Sequence, residues 1–141
     1  GTASEVDEVV RPAVTIAVED VRASTGWYGR LLDCPSPLDP DHEHRALFDV
    51  LSDDAGGPVL FLTRWDHHPL APLRDAASGR PGHGVVLFFE VDDVESSWAR
   101  AVELDAEVVD EPHESRGFEV TEFTVLDPDG YHVSVSEPVD V

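Results

Sequence analysis

Two stretches of the chain repeat one order of patterns, strand, helix, then strands, and the second closes on the clearest local signal. Val120, Phe123 and Val125 lead into Asp127-Pro128-Asp129-Gly130, and Tyr131 to Ser136 then alternates polar and apolar; this reads as strand, tight turn, strand. Upstream of it, Val85 to Val91 reads as a strand. Asp93 then caps a helix with Val94, Trp98, Ala101 and Leu104 on its buried stripe, and Glu107 to Val109 is a short strand. In the first half, Ala13 to Val18 is a β-branched run, and Asp20 caps a helix that buries Val21, Trp27, Tyr28, Leu31 and Leu32. Three more strands follow. The first is weakly signalled; Asp33 to Asp41 is Pro-rich and irregular, Arg45 to Leu51 reads as a strand, and the turn Ala55-Gly56-Gly57 leads into a further strand, Pro58 to Arg64. Trp65 to Gly84, rich in Pro, Gly and His, has no period and reads as a linker.

The two halves are related by a constant shift. Val18, Asp20, Val21, Ser24 and Leu31 fall on Val91, Asp93, Val94, Ser97 and Leu104, each 73 positions on, as does Gly57 on Gly130. The chain therefore divides into an acidic tail (residues 1–11), a first βαβββ module (12–65), a linker (66–84) and a second module (85–138), all within one domain.

Alternation along each strand separates two faces. Val14, Ile16, Val18, Leu60, Leu62, Leu87, Phe89, Val91, Val133 and Val135 form a wholly apolar face, the one for helices to cover. The opposite face mixes aromatic, hydroxyl and ionisable groups: Thr15, Phe61 and Thr63 in one module, Phe88, Glu90, His132 and Ser134 in the other. Such a face is open to water, packed on a partner, or the wall of a ligand cavity; Phe61 and Phe88 favour the cavity.

Composition narrows the partners. With 9 basic and 30 acidic residues among 141, the formal charge is −21, and the chain has no Lys, Asn, Gln or Met. A nucleic-acid backbone would be repelled. A salt-adapted or GC-rich genome accounts for such a surface, and so does an acidic rim that attracts a cationic small molecule. No apolar run approaches a membrane span and Cys34 is the single cysteine, so a soluble, cytoplasmic protein is expected. There is no nucleophile elbow, Walker loop or dinucleotide glycine pattern.

Val18-Glu19-Asp20-Val21 with Trp27-Tyr28, Val91-Asp92-Asp93-Val94 and Asp127-Pro128-Asp129-Gly130 closely resemble the vicinal oxygen chelate superfamily, the glyoxalase, bleomycin-resistance and extradiol dioxygenase fold. The resemblance runs from about Pro12 to Pro138. It implies an α+β fold of two tandem βαβββ modules forming an incomplete, cup-like barrel with helices outside, and a homodimer. Metal-using members place a His or Glu near the start of each module's first strand and a Glu in each last strand. The matching positions here are Ala13, Val86, Phe61 and Ser134, poor or impossible ligands, so no cofactor or metal is expected at that site.

The resemblance thus points to the metal-free, bleomycin-resistance-like branch, which sequesters a small aromatic or cationic molecule such as an antibiotic. Phe61, Phe88 and Trp65 would stack on the ligand, and Thr15, Thr63, Glu90, His132 and Ser134 would orient it. Three alternatives stand beside this: a lyase, isomerase or dioxygenase with a displaced metal on His42 and His44, a metal-free acid–base enzyme using Glu90 and His132, and a member with a filled cup whose role is assembly.

Overall fold

Among the described residues, both α-helices begin where an aspartate follows a strand. Asp20 accepts a hydrogen bond from Ala23 N and Asp93 from Ser96 N, each at 3.1 Å, so equivalent side chains satisfy one orphan amide at each helix start. The computed structural model describes residues 14–38, 43–67, 85–115 and 119–138. Its elements are β1 (Thr15–Val18), α1 (Val21–Leu32), a 3₁₀ turn (Glu43–Ala46), β2 (Phe48–Ser52), β3 (Pro58–Arg64), β4 (Val86–Glu90), α2 (Val94–Glu103), β5 (Glu107–Glu114), β6 (Thr121–Leu126) and β7 (His132–Ser136). No helix among the described residues is long and apolar enough to cross a membrane.

The strands form two sheets, β1-β3-β2 and β4-β7-β6-β5, rather than one closed barrel. In each, the module's first strand lies parallel to its last, and the registers superpose. Thr15 pairs with Phe61 and Ile16 with Leu62; 73 positions on, Phe88 pairs with Ser134 and Phe89 with Val135. The fold is α+β, two modules of one plan, with one strand fewer in the first module among the described residues.

The turns refine the repeat. Asp53 N bonds to Gly57 O and Gly56 N to Asp53 O, the same bonds that Asp127, Tyr131 and Gly130 make in the second module. The left-handed glycines are Gly56 (φ 85°) and Gly130 (φ 98°), so the counterpart of Gly130 is Gly56 rather than Gly57. A bulge explains the discrepancy: Leu51 pairs with Leu60 but Ser52 with Pro58, leaving Val59 as an extra residue. The bulge absorbs one position, returns β3 to the shift of 73, and keeps Phe61 equivalent to Ser134.

Two strands differ in extent from the sequence pattern. Arg45 and Ala46 belong to the 3₁₀ turn and β2 begins at Phe48; β5 runs to Glu114, through Pro112. Proline is tolerated there because β5 edges its sheet and its pairing with β6 is broken twice by register shifts.

The apolar strand face is the buried one. Ile16, Val18, Leu60, Leu62, Val133 and Val135 are at most 4% exposed and form a single core with Tyr28 and Leu31 of α1 and Val94 and Ala101 of α2. Trp98 meets Phe123 edge-on at 5.2 Å.

The modules are also bolted together through polar groups. Tyr28 donates its hydroxyl to Asp127 at 2.6 Å, and Asp127, 5% exposed, also accepts from the backbone of Asp129 and Tyr131. Asp129 accepts from Glu19 N and Ser24 Oγ, and Tyr131 donates to Ala17 O at 3.0 Å. The second module's turn thus grips β1 and the start of α1. Burial pushes the Tyr28 hydroxyl far up, the neighbouring Asp127 adding to the effect; burial also raises Asp127, against the hydrogen bonds from Tyr28 and the backbone.

Candidate functional site

Register sets the open face of each sheet. On the first, Thr15 lies beside Phe61, and Ala17 beside Thr63, which is also paired with Phe48. Thr15 and Phe61 are partly buried; Thr63 is 3% exposed, and its Oγ1 is buried without a hydrogen-bond partner among the described residues. Trp65 sits in the turn after β3, partly buried, its backbone N–H donated to Val18 O at 3.0 Å.

On the second sheet Val86 pairs with His132, Phe88 with Ser134 and Glu90 with Ser136. Phe88 is 68% exposed, Glu90 is exposed, and His132 is partly buried. Ser134, 4% exposed, is engaged with the Thr124 hydroxyl at 2.6 Å. The structure therefore brings Phe88, Glu90, His132 and Ser134 to one face of β4 and β7, and Thr15, Phe61 and Thr63 to one face of β1 and β3. No strand pairing joins the two sets.

Sequence reasoning missed Glu122, Thr124 and His113. Glu122 pairs with Ser136, Thr124 with Ser134, and His113 with Glu122, so all three share the open face of the second sheet; His113 Nε2 lies 3.7 Å from Glu122 Oε1. The available signal was the alternation of Glu122, Thr124 and Leu126 with buried Phe123 and Val125, counted back from the Asp127 turn.

Beside this face, between the modules, opens a cleft of about 880 Å³. Its apolar wall includes Leu32 at the end of α1, Val59 of the bulge, and Phe88, Phe89 and Val91 at the β4 edge. Carboxylates rim it: Asp33, Asp53, Asp54, Glu90, Asp92 and Asp93. Hydrogen bonds from Ser96 hold Asp93 below the usual carboxylate range, fixing it as an anion. Among the described residues Arg100 is the one basic group lining it, and it is already engaged: Nε donates to Leu31 O at 3.2 Å and Nη2 to Ser97 Oγ at 3.1 Å, tying α1 to α2. Cys34 also lines the cleft, its thiol pushed up by burial and nearby carboxylates. Phe88 and Glu90 belong both to the cleft and to the open sheet face, so the two are continuous.

The residues at the metal-bearing positions do not fit a metal. Phe61 and Val86 carry no donor atom and Ser134 is held by Thr124, while Ala13 lies outside the described residues. His42 and the side chain of His44 lie outside them too. Among the described residues no three His, Cys, Asp or Glu side chains are grouped to hold an ion. Glu90 and His132 share a face but stand four register positions apart on neighbouring strands, about 13 Å along the strand direction. That exceeds the reach of two groups exchanging protons with one substrate atom.

A family model described as the Glyoxalase/Bleomycin resistance protein/Dioxygenase superfamily matches residues 11–135. Among solved structures, TioX from Micromonospora sp. ML1 superposes with a TM-score of 0.66 at 17% identity, covering 94% of this chain and 98% of that one. A glyoxalase/bleomycin resistance protein/dioxygenase family enzyme from Burkholderia phytofirmans PsJN gives 0.67 at 19% identity, covering 89% and 95%. A glyoxalase / bleomycin resistance protein from Catenulispora Acidiphila DSM 44928 gives 0.60 at 22%, covering 92% and 99%. No curated protein sequence matches the chain. The structural likenesses speak for the fold. With two modules in matching register and a family match over nearly the whole chain, the protein belongs to the glyoxalase/bleomycin resistance protein/dioxygenase superfamily.

Proposed function

We propose that the protein is a metal-independent binding protein that sequesters a flat, cationic small molecule in the inter-module cleft and on the adjoining sheet face. The observation that carries this is Phe88, an aromatic ring 68% exposed at a wall where Glu90, Asp92 and Asp93 gather and Arg100 is engaged elsewhere. An exposed ring beside a cluster of carboxylates is suited to a cation with an aromatic body: the ring stacks, the carboxylates hold the charge, and Leu32 and Val59 cover the remaining apolar area. An antibiotic-resistance role is one biological use of such binding.

The same reading expects a homodimer. Phe48, Val86 and Phe88 are 42%, 43% and 68% exposed on the open sheet faces, and a second chain over part of those faces would narrow the site around a ligand.

The test is a fluorescence titration with a planar cationic dye such as ethidium. Saturable binding is expected, about tenfold weaker in Phe88→Ala, the ~1.4 kcal/mol scale of a desolvated cation–π contact, and weaker again in Glu90→Gln. Unaltered affinity in both variants would move the site elsewhere, and no saturable binding would overturn the reading.

A further inference from the structure

The carboxylates of the cleft come from both modules. Asp33, at the end of α1, and Asp53 and Asp54, in the turn between β2 and β3, line it from the first; Glu90, Asp92 and Asp93, at the junction of β4 and α2, line it from the second. The same two walls supply its apolar surface, Leu32 and Val59 from the first module and Phe88, Phe89 and Val91 from the second.

Each set is gathered in its own place. Burial, and after it Asp33, Asp53 and Asp54, push the Cys34 thiol up, which puts three first-module carboxylates close around one sulfur. The second set falls together at its strand-to-helix junction. Backbone anchors fix a member of each: Asp53 accepts from Ala55 N at 3.0 Å and Gly57 N at 2.8 Å, and Asp93 accepts from Ser96 N and Oγ.

Local roles account for Asp53, which closes its turn, and for Asp93, which caps α2. They do not account for the rest. Asp54, Glu90 and Asp92 are exposed and make no ion pair among the described residues. Asp33 takes a left-handed conformation (φ 55°) at the carbonyl end of α1, where the helix dipole disfavours an anion.

A ligand with a single positive charge meets only one of these sets. Filling the cleft, it would strip water from the other and offer it no counter-charge, which costs free energy. We infer that the cleft is matched to a dication: a flat apolar body against Phe88, Leu32 and Val59, with one cationic group at Asp53 and Asp54 and the other at Glu90 and Asp92. This rests on the cationic-ligand reading above and narrows it to molecules with a positive group at each end. The volume of about 880 Å³ suits such a molecule, since pockets for drug-sized ligands run to roughly 1,000 Å³.

The test compares ethidium with propidium, which has the same phenanthridinium ring and a second cationic group on an alkyl arm, by fluorescence titration of each. Propidium should bind roughly tenfold tighter, the scale of one further ion contact in a partly solvated cleft. Asp53→Asn with Asp54→Asn should bring propidium down to the affinity of ethidium and leave ethidium almost unchanged; asparagine keeps the oxygen to which Ala55 N and Gly57 N donate, so the turn is retained. Asp54→Asn alone, at an exposed side chain, should remove part of the preference. Glu111→Gln with Glu114→Gln takes the same charge from the exposed strand β5 and should preserve it. Ethidium binding with no preference for propidium would overturn the dication and leave the cationic site standing. A preference lost equally in the β5 pair would overturn it as an effect of net charge alone, and no saturable binding of either dye would overturn both readings.

Discussion

The Tyr28 hydroxyl and the Asp127 carboxylate, 99 positions apart, make a buried contact that joins the two modules. Tyr28→Phe leaves Asp127 buried with one bond fewer and should lower stability by about 1–3 kcal/mol in urea unfolding. The pH dependence of the contact has a definite sign. Burial raises Asp127, so the folded state holds its proton more tightly than the unfolded chain does. The stability from this group is complete below the ordinary carboxylate value and fades as pH rises through the raised one. On acidification from neutrality the wild-type protein should therefore gain stability more steeply than Asp127→Asn, measured by unfolding midpoints across that range; equal slopes would deny Asp127 this role. Most of the open face was legible residue by residue, because alternation alone sends Thr15, Phe61, Phe88, Glu90 and His132 to one side. The cleft was not: Asp33, Asp53 and Asp92 come together through contacts such as Tyr28–Asp127, which no local pattern announces.

Among the elements, the two turns carry the repeat and the bulge reconciles them. Gly56 and Gly130 adopt positive φ with open space around an added Cβ. Substitution there adds backbone strain without a clash. Gly56→Ala and Gly130→Ala should each cost roughly 1 kcal/mol, read as matched falls in denaturant midpoint; a clear inequality would mean that the turns are not equivalent. Sequence identity placed Gly57 opposite Gly130, because a one-residue bulge leaves no compositional trace at Val59. It left the apolar and polar faces readable nonetheless, since the register returns by Leu60. The length of β5 was hidden for a different reason: Asp110 and Pro112 read as loop, and an edge strand tolerates both.

For the whole molecule, a formal charge of −21 acts on both folding and binding. Self-repulsion is relieved by salt, so the thermal midpoint should rise with sodium chloride, while affinity for a planar cation should fall as the carboxylate rim is screened. Affinity that salt leaves unchanged would assign the acidity to surface hydration alone. The most direct measurement is the dye titration performed twice, on protein stripped with chelator and on the same protein after incubation with zinc, nickel, manganese or iron. A metal-independent binding protein gives one affinity in all of them. Affinity that appears only after metal is restored would contradict the account and require donors outside Phe61, Val86 and Ser134.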